Sequence, residues 1–183
     1  MVDSGADDRR QRFEAVVAAT YVPLQRFLRR RTDPGNADDV HGDVLLVMWR
    51  RADDIPADAV LPWCYGVARG CLANSTRARL RHLRLVRRLA DDRSRLPSDA
   101  AVDPRLEEAM RGLPDKDIEI LRLWAWEELA PREIALVLGI SANAASIRLH
   151  RATKRLKDRL TPDGKDPALP GQEGIEPRTE APR

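Results

Sequence analysis

The sequence predicts an all-α protein built from two small helical domains that a flexible linker joins. Apolar residues recur at helical spacing through residues 8–90 and again through 104–160, and no stretch shows the alternation of a β-strand. Between these parts, residues 91–103 are polar and contain Pro97, which is typical of a linker. Residues 161–183 contain five prolines and three glycines without apolar periodicity, so they are predicted to form a disordered tail.

Composition and cysteine content narrow the class of protein. With 183 residues, 43% of them hydrophobic and 33% charged, the chain can form two small cores under a very polar surface. It begins without the apolar stretch of a signal peptide, and no apolar run approaches the roughly 18 residues of a membrane span. Cys64 and Cys71 form neither a CxxC pair nor a metal-ligand cluster. We therefore expect a cytoplasmic protein without membrane insertion or cofactor, whose cysteines are small buried hydrophobes.

Three helices are predicted in the first domain. Pro23 is expected to kink or divide the first helix, and a turn at Asp33-Pro34-Gly35 is expected to follow it. The pair Asp38-Asp39 is expected in the first turn of the second helix, where acidic charge suits the helix dipole. A loop over 53–61 then precedes the third helix, with Pro62 as its first residue. The apolar positions that mark these helices are Phe13, Val16, Val17, Leu24, Phe27, Leu28, Val40, Val44, Leu45, Val47, Met48, Trp49, Trp63, Val67 and Leu72.

The second domain has the pattern of a helix-turn-helix. Asp115 is expected to cap one helix, and a later short helix begins at Pro131 and ends at Gly139. Ser141 then caps a final basic helix. A short helix, a tight turn with glycine and a capped basic helix form the helix-turn-helix signature. The apolar positions of this domain include Ile118, Ile120, Leu121 and Trp124, which are expected to form the buried face of the helix at Asp115. The others are Leu106, Met110, Leu113, Ile134, Ala135, Leu138, Ile140, Ala145 and Leu149.

Positive charge is concentrated in two segments, although the net charge of the chain is only +3. Residues 69–95 hold nine arginines against two aspartates, and residues 141–159 hold four arginines and two lysines against one aspartate. Two separate basic segments indicate contact with a polyanion at two places. Two solvated helix faces are the alternative.

No catalytic constellation is visible. His41, His82 and His150 are scattered, and none stands near a nucleophile with an acidic third partner. The chain also lacks a nucleophile elbow, a phosphate-binding loop and an HExxH motif. The sequence therefore does not predict an enzyme.

Residues 113–160 resemble region 4 of the extracytoplasmic-function sigma factors, a group of the sigma-70 family. The resemblance rests on four segments, which are Leu113-Pro114, Glu133-Ile134-Ala135, Gly139-Ile140-Ser141 and Arg148-Leu149-His150-Arg151-Ala152. A helix-turn-helix pattern alone would be less specific. The resemblance implies that residues 104–160 bind the −35 element of a promoter.

The first domain is similar to region 2 of the same family. The similar segments are LQRFLRRR (24–31), ADDVHGDVLLVMW (37–49) and LPWCYGVARG (61–70). The resemblance implies that residues 8–90 bind the −10 element and core RNA polymerase. The implied function is promoter recognition and opening in transcription initiation. The implied partners are core RNA polymerase, promoter DNA and an anti-sigma factor.

Four positions depart from the family pattern. Gly42 stands where glutamine is usual, in the helix that resembles the one docking on the polymerase clamp, and Gly70 stands where asparagine is usual. Ser146 replaces a common lysine or arginine, and Ile147 replaces a common serine. These departures concern individual contacts and not the class of protein.

The resemblance also implies site residues. In the last helix they are Asn143, Ser146, Arg148, Arg151 and Lys154, which would meet the −35 element. The N-terminal part of such a helix usually meets base edges, and asparagine can pair with adenine through two hydrogen bonds. The alternatives are a second capping role for Asn143 and a solvated face for the cations.

The first domain supplies the other implied contacts. Those near the −10 element are Trp63, Arg69, Arg77, Arg79 and Arg81, followed by Arg84, Arg87 and Arg88. Asp39 and Asp43 resemble residues that face the polymerase clamp. The alternatives are an aromatic core position for Trp63, a solvated or membrane-surface face for the arginines, and a solubility role for the aspartates.

A stand-alone helix-turn-helix regulator is the alternative function, and a helical adaptor that binds no DNA is the third. A regulator usually binds DNA alone, as a dimer on two half-sites. A sigma factor depends on core polymerase. Association with core polymerase therefore separates the three.

Overall fold

The computed structural model describes residues 4–86 and 103–161. Within these ranges it has seven α-helices, one short 3-10 turn and no β-strand, which confirms the all-α class. The predicted linker and tail lie outside the described residues except for Asp103 and Thr161. None of the helices in the described ranges combines the length and apolarity that a membrane crossing needs. The elements are α1 (Ser4–Arg29), α2 (Pro34–Arg50), the 3-10 turn (Ala52–Asp54), α3 (Val60–Val86), α4 (Pro104–Arg111), α5 (Asp115–Ala125), α6 (Pro131–Leu138) and α7 (Ala142–Leu160).

Helices α1, α2 and α3 pack around the core of the first domain. Leu24, Phe27 and Leu28 of α1 are fully buried, and the rings of Phe27 and Tyr65 stack with their centroids 4.7 Å apart. Burial of each large side chain contributes about 1.5–3 kcal/mol. Facing them are Val40, Val44 and Met48 of α2 and Cys64 and Ala68 of α3.

Helix α1 runs without a break through Pro23, so of the two predicted effects of this residue the division of the helix does not occur. A proline inside a helix cannot donate a backbone hydrogen bond and costs about 3 kcal/mol. The burial of Leu24, Phe27 and Leu28 just beyond it is large enough to offset that cost. Tertiary packing therefore overrides the local signal.

The second and third helices begin earlier than predicted. Pro34 is the first residue of α2, because Asp33 caps the helix by accepting a hydrogen bond from the Asn36 backbone N–H at 3.0 Å. The residues expected to form a separate turn are therefore the cap and start of α2, and Asp38-Asp39 lie in its second turn. Helix α3 begins at Val60, two residues before Pro62. Proline is tolerated there because first-turn N–H groups have no intrahelical partner.

Helices α6 and α7 form the predicted helix-turn-helix. Pro131 is the first residue of α6, and Gly139 ends the helix in the left-handed region with φ of 64°. Ser141 caps α7, its Oγ accepting a hydrogen bond from the Ala144 N–H at 3.2 Å. The turn and both helix ends therefore follow from local residue chemistry.

Helix α5 differs from the prediction at both ends. Pro114 occupies the N-cap position without a side-chain cap, so Asp115 is the first helical residue and not the cap. Near the other end Trp124 is 47% exposed, whereas Leu123 is fully buried. The predicted burial of Trp124 is wrong because packing against α6 and α7 turns the face of Ile120 and Leu123 inward.

The two domains pack against each other where α3 meets α6. At Gly66 an added Cβ would lie 3.8 Å from the Val137 Cα, so the two helices approach closely. We call this inter-domain contact the seam. It is formed by Arg30, Arg31 and Gly66 on one side and by Glu119, Glu127 and Val137 on the other.

The seam contains a nearly dry cluster of charges. The Glu127 carboxylate, 3% exposed, lies 2.9 Å from Nη1 of Arg31 and 3.4 Å from Nη1 of Arg30. The Nε atom of Arg31 lies 3.6 Å from the Glu119 carboxylate. Burial, and then the Glu127 charge, raise the pKa of the neighbouring Tyr65 hydroxyl, which stays protonated. Charges from both domains therefore compensate one another in the seam.

Replacing Glu127 by alanine is expected to weaken the seam by up to about 3–5 kcal/mol, since it leaves the buried Arg31 only its longer contact with Glu119. The radius of gyration from small-angle scattering should rise, and thermal unfolding should begin earlier. Glu107→Ala removes an exposed ion pair with Arg111 and is the matched control, with an expected change within about 0.5 kcal/mol. Identical scattering and unfolding curves for both variants would contradict the seam.

Both cysteines are free and buried, as predicted. Burial raises the pKa of the Cys64 thiol to about 11 and raises the pKa of Cys71 as well. Each thiol is therefore both protonated and covered in the folded chain.

The two thiols are expected to resist alkylation in the folded chain at about pH 8, because the thiolate is the reactive form. A short exposure to iodoacetamide, read by mass spectrometry, should leave the native chain unmodified and should modify both cysteines of the guanidinium-unfolded chain. Equal labelling of native and unfolded samples would refute the buried placement of these residues.

Candidate nucleic-acid interface

One face of α7 carries positive charge without compensation. Arg148, Arg151 and Lys154 follow one another three residues apart, which places them near one side of the helix. Arg151 and Lys154 are exposed and Arg148 is half-buried. None of the three forms an ion pair within residues 4–86 and 103–161. This face is therefore available to attract a polyanion.

The first turns of α7 present two short polar side chains. Ser141 supplies the cap, and the exposed Asn143 side chain makes no second capping hydrogen bond within the described residues. The Ser146 hydroxyl donates to the Ala142 carbonyl oxygen at 3.1 Å. The amide of Asn143 is therefore freer to contact another molecule than the hydroxyl of Ser146.

Arg155 belongs to the fold and not to the basic face of α7. It hydrogen-bonds to the carboxylate of Asp117, whose side chain is only 7% exposed, and so ties α7 to α5. No signal in the sequence separates Arg155 from Arg151, since both are basic residues of one helix. Only the buried partner distinguishes them.

Helix α3 carries the predicted −10 residues on two different parts. Trp63 lies in the bundle and is half-buried, with the Arg51 guanidinium 5.3 Å from its ring centroid. Arg69 is exposed beside the seam. The structure therefore makes Trp63 part of the edge of the core, while Arg69 remains accessible.

The C-terminal part of α3 projects from the bundle, because residues 76–81 are all exposed. Arg77 donates to the side chain of Asn74 at 2.7 Å, and Arg79 forms an ion pair with Asp33 at 3.3 Å. Arg81 is exposed. The side chains of Arg84, Arg87 and Arg88 lie outside the described residues. Arg77 and Arg81, one turn apart, therefore share a side of the projecting helix, whereas Arg79 lies on another side and is paired with Asp33.

The outer face of α2 is acidic with an apolar residue beside it. Asp39 and Asp43 are exposed one helical turn apart, and Leu46 on the same face is 54% exposed. Sequence reasoning missed Leu46, although its position three residues after Asp43 places it outside the buried stripe of α2. An acidic face with an exposed leucine is suited to protein contact.

The glycines that depart from the family pattern are not required by the fold. A Cβ at Gly42 or at Gly70 would meet no atom within 4 Å. Larger side chains would fit at both positions, so the two glycines remove polar side chains from the surface without changing the fold. Ile147, another of the four departures, is likewise exposed on α7.

Residues 104–156 match the family model described as "Sigma-70, region 4". This segment covers α4, α5, α6 and most of α7, and so contains the complete turn of the helix-turn-helix.

Relatives match across nearly the whole length. The RNA polymerase sigma factor CarQ of Myxococcus xanthus is 30% identical over 164 residues, which cover 84% of this chain and 92% of CarQ. The ECF RNA polymerase sigma factor SigF of Caulobacter vibrioides is 29% identical over 163 residues, which cover 85% of this chain and 89% of SigF.

A solved structure shares the fold. The sigma factor RpoE of Bartonella quintana, in complex with the anti-sigma factor NepR, aligns with a TM-score of 0.58 at 19% identity, covering 85% of this chain and 98% of RpoE. At this identity the likeness concerns the fold alone.

Proposed function

This chain belongs to the extracytoplasmic-function sigma factors of the sigma-70 family, and we propose that the surfaces of α7 and α3 are the ones with which it meets promoter DNA. As a sigma factor it directs RNA polymerase to promoters and takes part in opening them. The proposal rests chiefly on the exposed face of α7, the second helix of the helix-turn-helix. This face carries three cations without carboxylate partners within the described residues.

We assign residues 104–160 to region 4 and residues 8–90 to region 2. The assignment of region 4 is supported by the match over residues 104–156. That of region 2 is supported by the packing of α1, α2 and α3 against one another. Residues 91–103 are the proposed linker, and residues 161–183 are the proposed tail.

Region 4 binds the −35 element through α7. Asn143 is at the helix start, where base edges are normally read, and its amide has no capping duty. Arg148, Arg151 and Lys154 contact phosphates, which position the helix without reading sequence. Ser146 would first have to release the Ala142 carbonyl oxygen, so we assign base reading chiefly to Asn143.

Region 2 binds near the −10 element through α3. Arg77, Arg79 and Arg81 lie on the projecting part of the helix, where a DNA strand can approach from several sides. Arg69 adds charge closer to the bundle, and Trp63 offers an aromatic edge on which a base can stack. Promoter opening of this kind captures unstacked bases through binding energy and requires no catalytic side chain.

Core RNA polymerase binds the outer face of α2. Asp39 and Asp43 supply negative charge that suits a basic surface of the polymerase. Leu46, on the same face, supplies an apolar contact with the polymerase. The action of such a protein lies in the cytoplasm, where polymerase and promoter are found. An anti-sigma factor is the second proposed partner, by analogy with the fold-sharing RpoE, which is bound to NepR.

The chain is expected to confer specific transcription on core polymerase. Run-off transcription from its cognate promoter should require both proteins and should fail with either one alone. A pull-down with core polymerase is the companion measurement. A chain that binds the promoter tightly as a dimer without polymerase would instead be a stand-alone regulator.

Arg148→Ala and Arg151→Ala are expected to weaken promoter binding by the holoenzyme and to flatten its salt dependence. Each lost phosphate contact should reduce the slope of log K against log salt by about one. Arg105→Ala removes one exposed cation from α4 and controls for net charge. If all three variants show the same affinity and slope as the original chain, α7 does not contact DNA through these residues.

A further inference from the structure

A second basic site lies between the two domains, apart from both proposed DNA surfaces of α7 and the projecting part of α3. It is a cavity of about 320 Å³ beside the seam, bordered by the end of α1, by α3 and by the first turns of α5. Four cations line it, two from each domain, against two carboxylates. These are Arg31 and Arg69, Lys116 and Arg122, and Asp115 and Glu119.

Two guanidinium groups of the cavity keep donor atoms without a hydrogen-bond partner, although Arg31 is ion-paired with Glu127 and Glu119. The Arg31 side chain is only 7% exposed, and its Nε and Nη2 atoms make no hydrogen bond within the described chain. The buried Nε of Arg122 also makes none. Unpaired buried donors are costly, so these groups favour an added acceptor. One carboxylate oxygen of Glu119 is also unpaired, so a ligand would have to lie on the arginine side.

The start of α5 adds a further feature that favours an anion. Its N-cap is Pro114, which has no side chain able to accept from the first-turn N–H groups. Asp117, in the same turn, is turned away to pair with Arg155. The N–H groups of Asp115 and Lys116 therefore stand at the positive end of an 11-residue helix, on the cavity wall.

Electrostatics indicates the charge of the ligand. Because Glu127 already pairs with Arg31, the other three cations of the lining against its two carboxylates leave one positive charge in excess. Burial, and then the charge of Arg31, lower the pKa of Arg122, which shows that the two guanidinium groups repel each other. The excess favours an anion, and a phosphate group offers more acceptor oxygens to converging guanidinium groups than a carboxylate does.

We propose that the cavity beside the seam binds the phosphate groups of a small molecule and that the bound molecule holds the two domains closed. Arg31 and Arg69 reach it from the first domain, and Lys116 and Arg122 reach it from the second. Because the closed arrangement alone brings these four together, the ligand stabilises that arrangement. A closed chain keeps α7 at a fixed place relative to α3, which lowers transcription. This last consequence rests on the proposed function, whereas the binding site does not.

Binding is tested by titrating pyrophosphate into the full chain in a calorimeter at low salt. Saturable uptake of one equivalent is expected, weakened at least about tenfold by Lys116→Gln and by Arg122→Gln. Arg105→Gln removes an exposed cation far from the cavity and should bind as the original chain does. Lys116 is exposed, so its variant keeps the test valid should Arg122→Gln destabilise the fold.

Three results would overturn the site. They are no saturable uptake, equal affinity in the original chain and both cavity variants, and an equal loss in Arg105→Gln, which would mark a diffuse charge effect. A short DNA duplex is the comparison ligand. If Lys116→Gln weakens the duplex while pyrophosphate does not bind, the cavity is a DNA contact and the proposal is wrong.

Closure is tested by energy transfer between dyes on cysteines introduced at the exposed positions Asp8 and Asp158, since the native thiols are buried. Pyrophosphate should shift molecules toward the closed distance in this chain and should not do so once Lys116→Gln is added. Binding without a change in transfer would overturn the closing role. Neither readout uses polymerase, so a failure is distinguishable from a failure of the proposed function.

Discussion

The Glu127 carboxylate joins the two domains of this sigma factor by lying between the guanidinium groups of Arg30 and Arg31. Burying the Glu127 carboxylate costs free energy unless a positive charge lies beside it. The seam therefore needs the carboxylate of one domain and the guanidinium groups of the other. Once the domains part, water hydrates all three groups. The ion cluster therefore adds less net stability than apolar residues of similar volume would. A charged seam suits domains that have to separate, because polar inter-domain contacts are commonly reversible.

Closing the two domains fixes the distance between α7 and α3 but does not cover their cationic surfaces. The cationic face of α7 and the projecting part of α3 both remain exposed while α6 rests on α3 at Gly66. What closure fixes is the position of one DNA-facing helix relative to the other. In the proposed role, the polymerase sets the spacing at which the two promoter elements are met. A chain held at another spacing cannot use both surfaces at once, even though each is uncovered.

Local chemistry explains which parts of the fold could be predicted from the sequence. Pro131, Gly139 and Ser141 determine the helix-turn-helix through contacts within a few residues, so the sequence alone was sufficient. The division of α1 at Pro23 and the burial of Trp124 were expected and do not occur, because packing against distant helices decides both outcomes. The seam was not predictable either. Arg30 and Arg31 belong to a basic run, and nothing near them in sequence points to a carboxylate almost one hundred residues away.

Charged residues are equally hard to interpret from the sequence, because an arginine is available to DNA only if no carboxylate of the fold already pairs with it. Arg155 is used by Asp117 and Arg31 by Glu127, whereas Arg151, on the same helix as Arg155, has no carboxylate partner within the described chain. A basic segment therefore overstates the charge that is available to DNA. The reverse holds beside the seam, where cations from segments distant in sequence converge. Closing the two domains brings Lys116 and Arg122 beside Arg31 and Arg69, so an anion that contacts both pairs stabilises closure.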